Sequence, residues 1–342
     1  MNFRQSLENL INELPKKQKD VIIQRFGIES GNPKTLAQIG DKYQITRERI
    51  RQIEAAGLKA LLKKAQSDKT LKAMFDKVIK HLESLGGTRK SDYLIEDLRS
   101  IFNDKSLSPY QMELFFGIFE KPIYFLETKN FHSFWYLSEG HLKSNKEFIK
   151  KLIAFLKNKK EEVIEKKQFD KLFGQVVKNN SLSDFVALNF VLNSKDFSVN
   201  PFGDFGLSNW EEIMPKTVKD KSYLVLKKKR EPMHFREIAQ EINKIKFDIK
   251  KAHPQTVHNE LIKDQRFVLV GRGLYSLKEF GIIPGTAREV LRRILKEKGP
   301  LPFDKIVKLV GEQRILKHNT ILLNLHNKKY FKKADGGLYH LA

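Results

Sequence analysis

Cysteine is absent from the 342 residues, which excludes disulfides, thiolate zinc sites and cysteine nucleophiles together. No apolar run approaches the ~20 residues that span a bilayer, and the opening Met1-Asn2-Phe3-Arg4 lacks the apolar core of a signal peptide. Neither an amphipathic anchor nor a lipidation signal is present. These absences predict a soluble cytoplasmic protein without a membrane partner. Catalytic signatures are missing as well. The sequence has no Walker loop, Gly-x-Gly-x-x-Gly, His-Glu-x-x-His or Gly-x-Ser-x-Gly pattern, and its carboxylates form no set suited to hold magnesium. His253 with His258, and His318 with His326, lack i, i+4 spacing and supporting ligands, so capping or solvated roles are expected. The expectation is a protein that is not an enzyme and carries no cofactor.

What the chain does have is positive charge. Sixty-four Lys and Arg stand against 41 Asp and Glu, a formal net charge of +23. Such a surface attracts polyanions, of which nucleic acid is the commonest large one in a cell. Twenty-five phenylalanines and a hydrophobic content of 40% predict folded domains rather than a basic disordered tail.

The most informative stretch is Thr46-Arg47-Glu48-Arg49-Ile50-Arg51-Gln52-Ile53-Glu54. As a helix it turns Ile50 and Ile53 inward and leaves Arg47, Glu48, Arg51 and Gln52 on the opposite face. In a DNA major groove Arg47 and Arg51 can each donate two parallel hydrogen bonds to guanine O6 and N7. Glu48 can accept from cytosine N4, and Gln52 can pair with adenine. Arg49 sits nearer the flank, where it would meet phosphate or an acidic side chain. The bland alternative is a solvated basic helix with i, i+4 pairs such as Glu48 with Gln52.

The text before this stretch supplies the helix and turn needed to hold it. Leu7, Leu10, Ile11 and Leu14 fall at helical spacing before Pro15, and Val21, Ile22, Ile23 and Phe26 do so before Gly27. Residues 28–34 read as a loop. Thr35 with Gln38 three residues on predicts a capping box, Tyr43-Gln44-Ile45 a turn, and Thr46 the next N-cap.

Beyond residue 67 a weak repeat runs through helical segments into strand pairs with aromatic or leucine endings. Leu137, Trp210, Leu277 and Leu341 mark those endings at spacings of 73, 67 and 64 residues. That is too long for a solenoid repeat and suits small tandem domains. The third is the clearest: a lysine-rich helix, the short extended Pro232 to Phe235, a helix from Arg236 to Ile245, and a helix opened by Pro254. Strands 267–270 and 274–277 then flank a hairpin turn at Gly271-Arg272-Gly273. The fourth repeats this order, with its hairpin turn at Asp335-Gly336-Gly337. The predicted fold is mainly α with small β-hairpins: a helix-turn-helix domain at 1–66, then winged-helix units at 67–141, 142–214, 215–281 and 282–342. Trp135, Trp210, Tyr275 and Tyr339 are expected in the cores under the hairpins. The runs Lys157 to Lys160 and Lys227 to Arg230 are expected to be solvated faces that add unspecific affinity.

Two family resemblances rest on these residues. Leu14-Pro15 leading to Arg25-Phe26-Gly27, then Thr35 to Gly40, then Thr46 to Glu54, resemble the fourth, promoter-reading region of bacterial primary sigma factors. The resemblance implies that the second helix reads a −35 promoter element and that the module docks on RNA polymerase core. It also implies that Arg47, Glu48, Arg51 and Gln52 form the groove-facing set and that Arg25 is a phosphate contact. Met233 to Ala239, Thr256 to Leu261 and Gly271 to Tyr275 resemble the HARE-type winged helix, which also occurs in the delta subunit of Gram-positive RNA polymerase and in some restriction and chromatin proteins.

The chain also departs from these patterns. Gln44 stands at the turn where the sigma pattern favours Asp or Gly, and Ala55-Ala56-Gly57 replaces more basic residues. No segment resembles the region that captures the −10 element, which argues against a complete sigma factor. Nor is there the long acidic tail of the delta subunit. In the HARE-like unit Gln255, Thr256, Asn259 and Lys263 should project from the third helix, with Arg272 at the wing tip against phosphate or the minor groove. That face could equally serve a protein partner.

The expected function is a DNA-binding transcription protein, nucleoid-associated, with double-stranded DNA and RNA polymerase core as partners. The alternatives are a delta-like polymerase accessory subunit acting by protein contact, or a targeting module for a separate DNA-modifying enzyme.

Overall fold

Phe3, Leu7, Leu10 and Ile11 recur at helical spacing and bury one face of α1 (Phe3–Asn12). Pro15 opens α2 (Lys16–Phe26), and Gly27, in the left-handed conformation at φ 65°, closes it. Then come α3 (Leu36–Tyr43) and the 21-residue α4 (Arg47–Ser67). Asp68 ends α4 and starts α5 (Lys69–Ser84), accepting from the Thr70 and Leu71 amides at 2.8 and 3.1 Å. The computed structural model describes residues 3–282, 285–334 and 336–342. They fall into two units. The first comprises residues up to 198 plus 205–208, and the second comprises 199–204 and 209–342.

In the first unit α5 is followed by β1 (Thr88–Lys90), α6 (Ser91–Ile101), α7 (Pro109–Phe119), β2 (Ile123–Phe125) and β3 (Phe134–Tyr136). The sheet order β1-β3-β2, antiparallel throughout, gives a complete winged helix. Its third helix, α7, is not available for a groove. Met112, Leu114, Phe115, Phe116 and Ile118 are buried in one continuous core that also takes in α1, α2, α4 and α5. Gly117 leaves room for the Phe26 ring, which would lie 3.5 Å from an added Cβ. Buried side chains therefore run without a break across residue 66, from Phe3 to Leu137. Gly57 belongs to the same packing, since a Cβ there would stand 3.3 Å from Ile22. This is why a small residue follows the arginine-rich turns of α4.

Next come α8 (Glu139–Leu156), α9 (Lys160–Ile164), α10 (Phe169–Asn179), α11 (Asp184–Asn193) and the pair β4 (Phe197–Val199) and β5 (Phe205–Leu207). Here too the helix before the hairpin faces inward. Asn189 of α11 donates to the Leu85 and Thr88 carbonyls at 2.9 and 2.6 Å, and Asn193 and Asn145 both donate to the Thr88 hydroxyl. The amide nitrogens of these buried side chains are paired at the β1 edge, where losing one would strand its partners, whereas Asn145 Oδ1 and Asn193 Oδ1 have no partner among the described residues. Lys159 pairs with Glu162, so the 157–160 run is only partly solvated.

The second unit holds two winged helices of one topology. The first has α12 (Val218–Lys229), β6 (Met233–His234), α13 (Phe235–Ile245), α14 (Pro254–Lys263), β7 (Phe267–Gly271) and β8 (Leu274–Leu277), with sheet order β6-β8-β7. The second has α15 (Ala287–Lys298), β9 (Leu301–Pro302), α16 (Phe303–Gly311), α17 (His318–Leu325), β10 (Phe331–Lys333) and β11 (Leu338–Leu341), with order β10-β11-β9. Each has its own core, with Tyr275 in one and Tyr339 in the other. Trp135 and Trp210 are buried as well. Of the expected turn Asp335-Gly336-Gly337, Asp335 lies outside the described residues.

The lysine run after Leu226 corrects an expectation. Lys228 reaches Asp204 at 2.7 Å and Lys229 reaches Glu241 at 3.3 Å, while Lys227 donates to the Tyr223 hydroxyl at 3.1 Å. The helix C-terminus and nearby carboxylates hold these cations in place, so the run is not a freely solvated face.

Candidate nucleic-acid interface

The helix-turn-helix is built by two caps and a close turn. Thr35 and Gln38 form the reciprocal capping box, with the Gln38 amide donating to the Thr35 hydroxyl at 3.2 Å and Thr35 N–H donating to Gln38 Oε1 at 2.9 Å. Gly40 lies where a Cβ would sit 2.6 Å from the Ile45 carbonyl oxygen. Only glycine lets the chain fold back so tightly, and the Ile45 amide donates to the Gly40 carbonyl at 3.0 Å. Thr46 then caps α4 by accepting from the Arg49 amide at 3.2 Å.

Gln44 takes the left-handed conformation at φ 54° and ψ 40°, which is uncommon for a residue with a Cβ. Replacing it by glycine removes a strain of ~1–2 kcal/mol against a glycine entropy cost of ~0.5–1 kcal/mol. The expected result of Gln44→Gly is a gain of roughly 0.5–1 kcal/mol in urea unfolding. An unchanged or lower midpoint would show that Gln44 is not strained there.

Ile50 and Ile53 join Val21 and Ile39 in a small buried cluster under the turn, with Leu36, Tyr43 and Ile45 at its edge. Arg47, Glu48, Arg49, Arg51 and Gln52 are exposed on the other side. The predicted groove-facing set is therefore brought together on an open surface. Its members pair mainly at i, i+3, with the i, i+4 contact of Gln52 to Glu48 also present. Arg51 donates to both Glu48 oxygens at 2.8 and 2.7 Å, and Arg49 donates to Gln52 at 3.0 Å. The Arg51 guanidinium holds the Glu48 carboxyl below its usual range, keeping it ionised as an acceptor. Both pairs are solvent-exposed, so they hold little energy against exchange for base edges.

Arg25 is placed elsewhere. Its guanidinium bridges Glu54 at 3.2 Å and the Lys34 carbonyl at 3.2 Å, tying α2 to α4 and to the loop before α3. Two basic residues that sequence reasoning passed over stand near either end of α3. Lys34 and Lys42, both exposed, converge on Gln24 Oε1 at 3.4 and 3.2 Å. A lysine close to each end of the first helix was the available signal.

In the second unit Gln255, Thr256, Asn259 and Lys263 are exposed along α14, and Gln255 donates to Asn259 at 3.4 Å. Val257 and Leu261 are buried beneath them. His253 caps α14 through the Gln255 amide, and the His258 ring packs between Phe235 and Tyr275. Among the described residues no group of His, Asp or Glu is arranged to hold a metal ion. Arg272 is exposed in the β7–β8 turn and lines a cleft of about 680 Å³ with Arg314, Ile315 and Lys317.

The family model for sigma-70, region 4 matches residues 10–63. The HARE-HTH family model, a helix-turn-helix domain named in part for restriction endonucleases, matches residues 216–280. Residues of the chain are similar to RNA polymerase sigma factor SigA of Microcystis aeruginosa and of a Synechocystis species, each 47% identical over 59 residues. RNA polymerase sigma factor sigB of Arabidopsis thaliana is 40% identical over 66 residues, 19% of this chain and 12% of that protein. The SigA matches cover 17% of this chain and 14% of each relative, so the likeness is to one module. The chain thus carries a sigma region 4 helix-turn-helix near its amino end and a HARE-type winged helix in its second unit.

Proposed function

We propose that the protein is a DNA-binding transcription protein whose α4 enters the major groove of a promoter element of the −35 type. The observation that carries this reading is the open Arg47, Glu48, Arg51 and Gln52 face of α4, backed by buried Ile50 and Ile53 in a sigma region 4 match. Phosphate contacts fix register and base contacts give selectivity. Lys34 and Lys42 flank α3 as phosphate-side candidates, while Arg25 acts as a strut. In the second unit α14 offers Gln255, Thr256, Asn259 and Lys263 for a further groove, with Arg272 exposed in the β7–β8 turn. Separate modules on one chain raise the effective concentration of each at neighbouring sites. The role is one of binding without a catalytic step or cofactor, in the cytoplasm at the nucleoid. No helix among the described residues is long and apolar enough to cross a membrane.

Binding-site selection on the full chain and on Arg51→Ala tests the reading. The variant should lose roughly 1–3 kcal/mol of discrimination at one base pair while keeping its unspecific affinity. Unchanged selectivity would remove Arg51 from the readout.

A second reading, an RNA polymerase accessory subunit, draws on α11. Its inner face is occupied by β1, and its outer face exposes Phe185, Leu188 and Leu192, apolar side chains suited to protein rather than phosphate. Capture of core polymerase after nuclease treatment would favour the accessory role; loss of capture would favour DNA binding alone.

A further inference from the structure

The carboxyl-terminal winged helix lies beyond both family matches and carries an uneven charge. Residues 286–342 contain thirteen Lys and Arg against five Asp and Glu. Residues 313–334, which hold α17 and β10, include Arg314, Lys317, Lys328, Lys329, Lys332 and Lys333 and not one Asp or Glu. Of the unit's acids, Glu289 is held in the Thr286 capping box at the head of α15, Glu297 lies near the other end of that helix, Asp304 and Glu312 bracket α16, and Asp335 follows the run in the sequence.

The topology says what this segregation is for. α17 occupies the place that α14 holds in the preceding unit, and β10 with β11 occupies the place of the wing. Unlike α7, whose face is lost in a core, α17 turns Ile321 and Leu325 inward and leaves His318, Asn319 and Leu323 exposed. At its far end a cleft of about 630 Å³ opens against the wing, lined by His326, Lys328, Lys332, Lys333 and Tyr339. Lys328, Lys332 and Lys333 are exposed, and Lys333 lies 5.7 Å from the Tyr339 ring centroid. Cations in the turn after α17 and on the adjacent strand fit phosphates along one groove edge.

We propose that this unit holds a phosphate-binding site for duplex DNA, with α17 at the groove and Lys328, Lys332 and Lys333 on the backbone. The lysine contacts are sequence-independent, because phosphate contacts carry no base information. The site adds affinity and position to the selective contact made by α4, and it rests on the reading of the protein as a duplex-DNA binder.

The test compares the full chain with Lys328→Ala/Lys332→Ala/Lys333→Ala and with a control of equal charge loss, Lys296→Ala/Lys298→Ala/Lys305→Ala. Affinity for a short mixed-sequence duplex is followed across potassium chloride concentrations. Each phosphate contact contributes ~0.9 to the log–log salt slope. The first triple should flatten the slope by about 2–3 and weaken binding at least about tenfold, the control by less than about 1. Replacing the same three lysines with arginine should leave the slope intact, which separates charge from folding. Equal changes in the two alanine triples, or no change in the first, would overturn the proposal. If the unaltered protein shows no duplex affinity at any salt concentration, the underlying reading fails, taking this proposal with it.

Discussion

Ile50→Ala is expected to destabilise the amino-terminal helix-turn-helix by about 2–5 kcal/mol and to abolish selective DNA binding. Ile50 is fully buried in the first turns of α4, packed with Val21, Ile39 and Ile53. This cluster is small and separate from the long core that joins α1 to β3. Removing most of one side chain therefore leaves a cavity with few neighbours able to close it. Arg51 is the next residue along the helix and Arg47 stands about one turn before it, so loosening α4 displaces the reading face. A misplacement of an ångström is enough to forfeit paired hydrogen bonds to a base. Urea unfolding and amide hydrogen exchange along α3 and α4 measure the first effect, and site selection measures the second. An unfolding midpoint equal to that of the parent protein would show that this cluster does not hold the helix.

The second large effect is expected at Arg266, which joins the segments around the HARE-type winged helix. Its guanidinium meets Asp264 at 2.8 Å, Asp220 at 3.2 Å and Glu211 at 3.2 Å. It also lies 4.9 Å from the Tyr223 ring centroid. Asp220 is almost fully buried and also caps α12. Arg266→Leu leaves that carboxylate without its nearest cation. Breaking a buried pair costs ~3–5 kcal/mol, and the one-third exposure of Arg266 reduces this to about 2–4 kcal/mol. Arg266→Lys should recover only part of the loss, because an ammonium cannot span three carboxylates as the planar fork does.

The same site predicts a pH dependence. Arg266 holds the Asp264 carboxyl below its usual range. A depressed carboxylate contributes stability that is present above its unfolded value, near ~3.9, and is lost as pH falls through the lower folded value. The parent protein should therefore lose stability on acidification below about pH 4, and Arg266→Leu should lose less over that interval. Parallel acid profiles in the two proteins would count against Arg266 as the cause.

The position of Arg25 shows what a motif match cannot decide. Its place before Phe26 and Gly27 matches a phosphate-contacting residue, yet in the fold it serves Glu54 and the Lys34 carbonyl. Glu54 is twenty-nine positions on, beyond any local pattern. Lys228 and Lys229 make the same point, since Asp204 and Glu241 reach them only through folding.

Local physics was enough for much of the rest. Thr35 with Gln38, Thr46 before an arginine-rich turn, and Pro254 each set a helix start through interactions within four residues, so their effects could be read from the text. The buried side of α4 followed from the 3.6-residue period, and the hairpins of the second unit from glycines between apolar runs. The net charge of +23 was likewise readable directly from the composition.

The tertiary structure alone decided which third helices remain open. α7, α11, α14 and α17 occupy equivalent places before their hairpins, and each buries part of its surface. Only packing between distant segments shows that α7 is consumed in the core beside α4 and that α11 is fastened to β1 through Asn189 and Asn193. α14 and α17 keep their outer faces exposed. Sequence sets what a helix can bury against, because that depends on its own side chains. What it does bury against depends on the surfaces that the rest of the chain brings to it.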